Sequence, residues 1–269
     1  MARDNEYSIL LQGGLGNQLF GWAAAIALSQ KNGGSATVKS DLLKKGQYQL
    51  NKYLNAPNVS LRHKHLNFPR SKNFYEQDYT YDQRFRDISS GLTLNGYFQS
   101  WKYFDDYQFL IRNTFTKLAD TSQEYKLVLD QLKIMPFTAL HIRRGDYINL
   151  HDYHGLTSRE YFERARELIL ERDNTQKIVV FSDDVAIAKE LVDWGDLYLG
   201  PSDVVCPVET LDLMSRATNI VGSNSSFSWW GAYLRDDNHG LRIMPRPWFS
   251  NPNLNDRDLL PKTWITLGI

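Results

Sequence analysis

The sequence predicts an α/β fold with two Rossmann-like halves, and two of its patterns carry that prediction. Short apolar runs of strand length alternate along the chain with segments whose apolar residues recur at helical spacing. Polar segments rich in glycine, arginine, aspartate or serine directly follow several of the apolar runs. Strands that alternate with helices form a parallel sheet, and ligands bind such sheets beyond the carboxyl ends of the strands. We therefore expect the chemistry in these polar segments.

Length and charge limit the architecture and the partners. The 269 residues allow two domains of ordinary size, which we place at residues 1–130 and 131–269. Lysine plus arginine equals aspartate plus glutamate at 31 each, so no overall positive field favours nucleic acid or an anionic membrane. The single cysteine, Cys206, excludes an intramolecular disulfide and fits a reducing compartment. The oligomeric state is left open.

The amino-terminal residues bear on the compartment. The first six are polar and acidic and lack the apolar centre of a signal peptide. The chain also contains no run of about twenty apolar residues. We therefore expect a cytoplasmic protein whose contact with membranes, where it occurs, is peripheral and at the inner face.

The first half opens with a strand, a glycine loop and a helix. In order, the predicted elements are strand 7–12, glycine loop 13–18, helix 19–30 and strand 36–38. The loop then lies on the ligand side, in front of the positive end of the helix dipole. Gly14 and Gly16 satisfy half of the dinucleotide fingerprint, but Leu19 occupies the third glycine position. A nucleotide-dependent oxidoreductase is kept as an alternative, whereas a P-loop is excluded because no lysine follows at the required spacing.

The middle of the chain is the part that the sequence explains least. Residues 42–86 are polar, aromatic and irregular, and residues 35–90 carry no motif to which we can assign a function. His63 and His65 alternate, but without a third ligand nearby they favour a solvated strand over a metal site. Residues 93–100 are predicted as a strand that runs into a loop, and residues 101–112 as a helix. The polar stretch 116–123 and an amphipathic helix over about 124–133 together form the predicted linker.

The second half is more regular than the first. A capping box at residues 157–160 predicts the start of a helix, and Phe162, Ala165 and Ile169 supply its buried stripe. The other predicted elements, in order, are strand 137–142, strand 177–182, helix 185–194, strand 197–199, helix 209–216, strand 219–222, a helix that ends at residue 234, and strand 241–244. Strand 241–244 is expected to finish the sheet.

Three strand ends in the second half carry residues suited to a nucleotide diphosphate. Arg143 and Arg144 follow the first of these strands, and adjacent planar guanidiniums bind phosphate oxygens in pairs while keeping their charge. Asp183 follows the second strand, where a carboxylate suits ribose hydroxyls or a guanine edge. Ser225 and Ser226 open the last helix, whose N-terminal amides suit phosphate.

Each of these assignments has a structural alternative. The two arginines and a nearby aspartate can be a surface ion pair on a turn for which Gly145 supplies the backbone freedom. Ser225 can be a helix cap, and Asp183 can be a first-turn acid. The tripeptide at residues 144–146 matches an adhesion motif, but so short a match arises often by chance.

Five motifs make the chain resemble a known family. They are Gly-Gly-Leu-Gly-Asn-Gln-Leu-Phe at 13–20, Gly-Tyr-Phe-Gln-Ser at 96–100, His-Ile-Arg-Arg-Gly-Asp-Tyr at 141–147, Phe-Ser-Asp-Asp at 181–184 and Asn-Ser-Ser-Phe-Ser-Trp-Trp-Gly-Ala at 224–232. In this order they resemble the α-1,2-fucosyltransferases of glycosyltransferase family 11. The resemblance implies an α/β fold of GT-B type, with two Rossmann-like domains facing across a cleft. It also implies inverting transfer of L-fucose from GDP-fucose to the 2-hydroxyl of a galactoside-containing glycan, without a metal or other cofactor.

The resemblance also implies roles for particular residues. Arg143 would bind the diphosphate and stabilise the leaving GDP, and Arg144 would assist it or orient the loop. Asp183 would hold the guanosine, and His141 would touch the base, with a hydrogen-bonded buried histidine as the alternative. The remaining substrate-binding residues would be Ser225, Ser226 and Phe227 for the phosphates and base, and Gly14, Gly16 and Asn17 for the face contributed by the first domain.

Asp146 is our candidate for the catalytic base. It lies three residues beyond Arg143 on the same loop, close enough to share the site and still point toward an acceptor hydroxyl. The structural alternative is that it pairs with Arg144 and shapes the turn. Asp256 and Asp258 have the spacing of a metal-binding pair, but we discount them because they follow a tail rich in asparagine and proline rather than a strand.

Two other functions remain open at this point. One is a related GDP-sugar glycosyltransferase with a different linkage or acceptor. The other is a non-catalytic glycan-binding relative, which Trp101, Trp229 and Trp230 would support if they were exposed. Their spacing within helices or strands favours the core instead.

Overall fold

The computed structural model describes residues 6–43, 50, 58–62, 72–115, 118, 121–145, 155–235 and 239–269. The chain forms two compact units: unit 1 comprises Met1–Ala119 and Asn255–Pro261, and unit 2 comprises Asp120–Leu254 and Lys262–Ile269. The division therefore lies before the predicted boundary at residue 130. A short piece of the carboxyl-terminal tail also belongs to unit 1, which the prediction did not include.

Unit 1 is built on a parallel sheet with helices around it. Its strands are β1 (Glu6–Leu10), β2 (Ser35–Lys39), β3 (Val59–Arg62), β4 (Lys72–Tyr75) and β5 (Leu92–Asn95), in the order β3-β2-β1-β5-β4. Its α-helices are α1 (Leu15–Asn32) and α2 (Gln108–Phe115), and 3-10 turns occur at Gln83–Asp87, Trp101–Tyr103 and Asp105–Tyr107. All four strand pairings are parallel. The carboxyl ends of β1, β4 and β5 therefore lie on one edge of the sheet.

The strands β3 and β4 correct the prediction that residues 42–86 are irregular. Both are four residues long and lie at the two edges of the sheet. In β4 only Phe74 is buried, so the segment shows no alternation that a sequence pattern could reveal.

Helix α1 begins at Leu15, earlier than the predicted residue 19, because Gly14 already adopts an extended cap conformation. Nearly every residue from Gly16 to Ser29 is buried, so the helix is covered on all sides and not only along one stripe. Small alanine side chains allow that close packing. The helix ends at Asn32, two residues beyond the predicted end, and its C-cap Gly33 has a φ of 62° that lets its amide bond to the Ser29 carbonyl.

Unit 2 carries a six-stranded parallel sheet. Its strands are β6 (Phe137–Ile142), β7 (Lys177–Ser182), β8 (Leu197–Leu199), β9 (Asn219–Val221), β10 (Arg242–Arg246) and β11 (Ile265–Gly268), in the order β11-β10-β9-β6-β7-β8. Its helices are α3 (Gln123–Leu132), α4 (Arg159–Arg172), α5 (Val185–Leu191), α6 (Pro207–Ser215) and α7 (Ser226–Tyr233). The prediction that β10 finishes the sheet is wrong, because β11 pairs with it in parallel.

The centre of unit 2 is β6, all six residues of which are buried. On one face Leu140 and Ile142 pack with Tyr161 and Phe162 of α4. Because β6 pairs in parallel with both β7 and β9, the segments that follow these three strands lie side by side. Trp229 and Trp230 of α7 are fully buried, as predicted for core residues, whereas Trp101 of unit 1 is only partly buried.

Among the described residues, no helix is long and apolar enough to cross a membrane.

Candidate active site

The segment after β6, residues 143–145, is called the arginine loop here. Its first backbone amide, that of Arg143, donates to the Ser223 hydroxyl at 3.1 Å. The same hydroxyl donates to the His141 carbonyl at 2.8 Å. Ser223 follows β9, so one buried serine joins the ends of the two central strands. Ser223 directly precedes the Asn-Ser-Ser motif but was not among the predicted site residues.

Asp183, at the end of β7, holds the arginine loop from its other side. Its Oδ1 accepts the backbone amide of Arg144 at 2.9 Å, and its Oδ2 lies 2.9 Å from a terminal nitrogen of Arg143. A Cβ atom placed on Gly145 would overlap Oδ2. Glycine is therefore needed at this position because the Asp183 carboxylate approaches the backbone closely, a different reason from the predicted freedom to turn.

The two adjacent arginines occupy different environments. One third of the Arg143 side chain, 33%, is exposed, whereas Arg144 is only 6% exposed. Arg144 donates to the Thr157 carbonyl at 2.6 Å and to the Arg143 carbonyl at 3.2 Å. Burial lowers the pKa of the Arg144 guanidinium, and the nearby charge of Asp183 opposes that shift. Of the two predicted roles for Arg144, this geometry favours orienting the loop.

The N-terminus of α7 lies after β9 on the same edge. Ser225 is its N-cap and accepts the Phe227 amide at 3.3 Å, which is the structural alternative considered for this serine. Asn224 donates to the carbonyls of Gly155 and Trp248 and thereby anchors the start of the helix. Ser226 and Phe227 are partly exposed, so they are the residues of this motif best placed to meet a ligand.

His141 is a buried histidine, 5% exposed, at the end of β6. Its Nδ1 lies 2.6 Å from the Ser228 hydroxyl, and its ring centroid lies 5.3 Å from that of Phe227. Burial, and secondly the charge of Arg143, lower the pKa of His141 to about 3. The imidazole is therefore neutral at physiological pH, and it packs at a tilt against the Phe227 ring.

In unit 1, only Gly13 and Gly14 of the predicted glycine loop precede α1, and residues 15–18 form the first turn of the helix. Gly14 is the exposed N-cap, and a Cβ placed there would meet no atom. Gly13 is more constrained, because its φ is +66° and a Cβ would lie 2.5 Å from Nδ2 of Asn17. The loop is held by Gln18, which donates to the Gly13 carbonyl at 2.9 Å, while the predicted residue Gly16 is buried within α1. Gly14 and Gly16 were predicted to bind substrate, whereas Gly13 was predicted only as part of the loop.

Several predicted residues lie outside the described part of the chain. They are the candidate base Asp146 and the histidine pair His63 and His65. Asp258, discounted above as a metal ligand, forms an ion pair with Lys102 and accepts the Tyr81 amide at 3.2 Å. Within the described ranges, no three histidine, cysteine or acidic side chains are grouped closely enough to hold a metal ion.

Comparison with known proteins indicates the family to which the chain is similar. The model of glycosyl transferase family 11 matches residues 1–268. An alpha-1,2-colitosyltransferase of Escherichia coli is 30% identical over 289 aligned positions, which cover 96% of this chain and 97% of that protein. The galactoside 2-alpha-L-fucosyltransferase Sec1 of Mus musculus is 26% identical, over 87% of this chain and 66% of its own length.

One solved structure bears on the fold. NodZ alpha-1,6-fucosyltransferase from Bradyrhizobium, co-crystallised with GDP, superposes with a TM-score of 0.54 at 10% identity, over 86% of this chain and 92% of its own. The predicted α/β fold of GT-B type is thereby confirmed, while the predicted placement of the two domains across a cleft stays a prediction. The family model, which matches residues 1–268, confirms the predicted family: the chain belongs to glycosyltransferase family 11.

Proposed function

We propose that this protein is an inverting fucosyltransferase that moves L-fucose from GDP-fucose to the 2-hydroxyl of a galactoside. The observation that carries the proposal is the position and partial exposure of Arg143. Its guanidinium is partly exposed at the carboxyl end of the central strand of unit 2 and is fixed by the Asp183 carboxylate. A fixed, accessible cation at this position suits a ligand that gains negative charge as it leaves.

The donor would be held by unit 2. In the proposed complex Arg143 binds the diphosphate, the N-terminus of α7 with Ser226 faces the phosphates, and Phe227 packs against the base. A solved relative in fold, NodZ, was co-crystallised with GDP, which supports a guanosine diphosphate ligand. Asp183 was predicted to hold the guanosine, but both of its oxygens already bind the arginine loop. We therefore assign it the task of positioning Arg143.

The proposed reaction is a single displacement. The acceptor hydroxyl oxygen forms a bond to the anomeric carbon while the bond from that carbon to the β-phosphate oxygen breaks, and GDP leaves with the electron pair. Arg143 stabilises the charge that grows on the phosphate, which is the work a divalent metal performs in other transferases. We therefore propose that neither a metal nor another cofactor is required.

The acceptor proton needs a base on the face opposite the leaving GDP. Asp146 remains our proposal, since it follows Arg143 by three residues. Asp146→Asn is expected to retain GDP binding and to lose most of the transfer. Activity equal to that of the parent at saturating acceptor and across pH would exclude Asp146 as the base.

The name of one relative indicates a second candidate for the donor sugar. The Escherichia coli protein is named as a colitosyltransferase, and colitose is L-fucose without its 3-hydroxyl. A site that hydrogen-bonds the 3-hydroxyl rejects the deoxy sugar strongly, whereas a site that merely accommodates it does not. The ratio of turnover on the two GDP-sugars therefore distinguishes these specificities.

The decisive experiment measures GDP release from GDP-fucose, GDP-colitose and GDP-mannose, each with lactose, with a larger galactoside glycan and without acceptor. The proposal expects release from GDP-fucose that depends on a terminal galactoside, and NMR of the product is expected to show an α-1,2 linkage. Release only from GDP-mannose, or a product with another linkage, would contradict it. Glycan binding without release from any donor would favour the non-catalytic alternative.

A further inference from the structure

Glu76 directly follows β4, at the carboxyl edge of the sheet of unit 1, in the stretch to which the sequence analysis assigned no function. Its backbone amide donates to the Asn95 carbonyl at 3.0 Å and so continues the pairing of β4 with β5. Its side chain turns to the segment after β5, residues 96–99, called the hinge loop here. One Glu76 oxygen, Oε2, accepts the backbone amides of Tyr97 and Phe98, both at 2.8 Å. The other, Oε1, accepts the Tyr103 hydroxyl at 2.8 Å.

The hinge loop adopts a conformation that needs support. Phe98 is completely buried and has a φ of +52°, in the left-handed region that residues other than glycine rarely adopt. Two amide hydrogen bonds to one carboxylate oxygen stabilise that backbone. Gly96 allows the approach, because a Cβ there would lie 2.5 Å from Cβ of Glu76 and 2.6 Å from Oε2.

The hinge loop leads to the glycine loop. Gln99, its last residue, is buried and donates from Nε2 to Oδ1 of Asn17 at 2.6 Å. The Asn17 side chain in turn packs against Gly13, where even one additional carbon atom would not fit. A continuous series of contacts therefore runs from Glu76 through Phe98 and Gln99 to the glycine loop.

We propose that Glu76 is a positioning residue that fixes the glycine loop of unit 1 through the hinge loop and the contact between Gln99 and Asn17. The inference rests on the proposed function in that the glycine loop is taken to bind substrate. Glu76 touches no substrate in this proposal. It acts because a loop held in one conformation loses less entropy on binding than a mobile one.

The surroundings of Glu76 decide which substitution tests this role. The groups facing it are the Tyr103 hydroxyl, from the 3-10 turn after the hinge loop, and Asp82, which pairs with Arg84. Burial raises the pKa of Glu76 to about 7 against the effect of its three hydrogen bonds, and the charge of Asp82 adds to the rise.

Glutamine imitates the protonated form of Glu76. Its oxygen can still accept both loop amides. Its nitrogen can donate to the Tyr103 hydroxyl, which already accepts the Asp82 amide at 2.9 Å and has a second lone pair. Glu76→Gln should therefore keep the hinge loop in place, whereas Glu76→Ala removes all three contacts.

The experiment compares Glu76→Ala, Glu76→Gln and a control, Asp78→Ala, in the full chain. Asp78 is an exposed carboxylate two residues further on, and its Oδ1 accepts only the adjacent Tyr79 amide among the contacts described. Amide hydrogen exchange is measured in peptides that cover residues 13–20 and 96–100, together with kcat, the KM for the acceptor and the Kd for GDP.

Glu76→Ala is expected to speed exchange in both peptides and to lower kcat/KM for the acceptor by about tenfold or more. The Kd for GDP should stay within about twofold, because the diphosphate is assigned to unit 2. Glu76→Gln and Asp78→Ala should behave like the parent. Exchange and kcat/KM in Glu76→Ala that equal the parent values would overturn the inference, as would equal losses in the alanine and glutamine variants.

A second variant covers the case in which Glu76→Ala does not fold. Gln99→Leu keeps the three Glu76 contacts and removes only the hydrogen bond to Asn17, so it should speed exchange at residues 13–20 alone. Unchanged exchange there would overturn the inference. A parent protein that releases no GDP from GDP-fucose would count against the proposed function instead, and the exchange data would still decide the role of Glu76.

Discussion

In each unit a carboxylate holds a loop, but the electrostatic surroundings of the two carboxylates differ. In unit 2, Asp183 at the end of β7 holds the loop that follows the neighbouring strand β6. In unit 1, Glu76 at the end of β4 holds the loop that follows the neighbouring strand β5. In both cases a carboxylate that follows one parallel strand accepts from the backbone of the loop after the neighbouring strand, one amide at Asp183 and two at Glu76.

The difference lies in the side chain that each carboxylate meets besides the loop amides. Asp183 meets the guanidinium of Arg143, so its negative charge has a counter-charge 2.9 Å away. Among the described residues, Glu76 meets neutral donors and the negative Asp82, and burial raises its pKa to about 7. A carboxylate that orients a cation and one that orients a neutral loop therefore respond differently to substitution and to pH.

The largest effect is expected at the cation itself. Arg143→Lys should lower kcat by about 10²- to 10³-fold with little change in melting temperature, because lysine keeps the charge but loses the planar fork. Steady-state turnover on GDP-fucose and a thermal melt measure the two quantities.

Arg144→Lys is the matched control for that variant. It removes hydrogen bonds to the Thr157 and Arg143 carbonyls from a buried site, so it should destabilise the fold by about 1–3 kcal/mol and lower kcat less. If Arg143→Lys turned over at the parent rate, the distinction between the two arginines would be lost.

Asp183→Asn should have the next largest effect. Asparagine can still accept the Arg144 amide, but its amide group cannot pair with the Arg143 guanidinium, so kcat should fall by about ten- to a hundredfold.

Asp184→Asn is the neighbouring control, since Asp184 caps α5 and asparagine caps helices about equally well. Equal kcat values in the Asp183→Asn variant and the parent would show that the ion pair does not position Arg143.

The sequence predicted unit 2 better than unit 1, and the reason is physical. Strands such as β6 and β7 are buried on both faces, so they appear as continuous apolar runs with polar residues at their ends. The edge strands β3 and β4 are short and partly polar, and they follow no such pattern. Strand β11 was missed because it returns to the sheet after a long irregular tail.

The site residues also differ in whether the sequence could predict them. Arg143 and Asp183 were identified because they directly follow recognisable strands. Glu76, Ser223 and Gly13 were not, because their importance arises from contacts with other parts of the chain. Glu76 meets Phe98 only because β4 and β5 are neighbours in the sheet. The order of strands in a sheet cannot be predicted from local sequence patterns.

A smaller effect, in the stability of the fold, should separate the two carboxylates by pH. The folded-state pKa of Glu76, about 7, lies above its ordinary value of 4.5, so between these pH values the folded protein binds more proton than the unfolded chain. Stability should therefore fall as pH rises through this window, by at most about 3 kcal/mol.

The Glu76→Gln variant has no such titration. The melting temperature of the variant minus that of the parent should therefore increase from pH 4.5 to 7. Parallel melting curves for the two proteins across that range would indicate that Glu76 is ionised throughout and that its neutral donors suffice to stabilise the charge.

The smallest effect is expected from removal of divalent metals. If Arg143 takes the place of a metal, GDP should raise the melting temperature of the protein by the same amount with and without a chelator, because a ligand stabilises only through its affinity for the folded state. The comparison is sharpest in the Arg143→Lys variant. There a metal ion could compensate for part of the lost phosphate contact, so addition of Mg²⁺ should help the variant more than the parent. A chelator that abolished the stabilisation by GDP in the parent would mean that the guanidinium held by Asp183 does not suffice to bind the diphosphate.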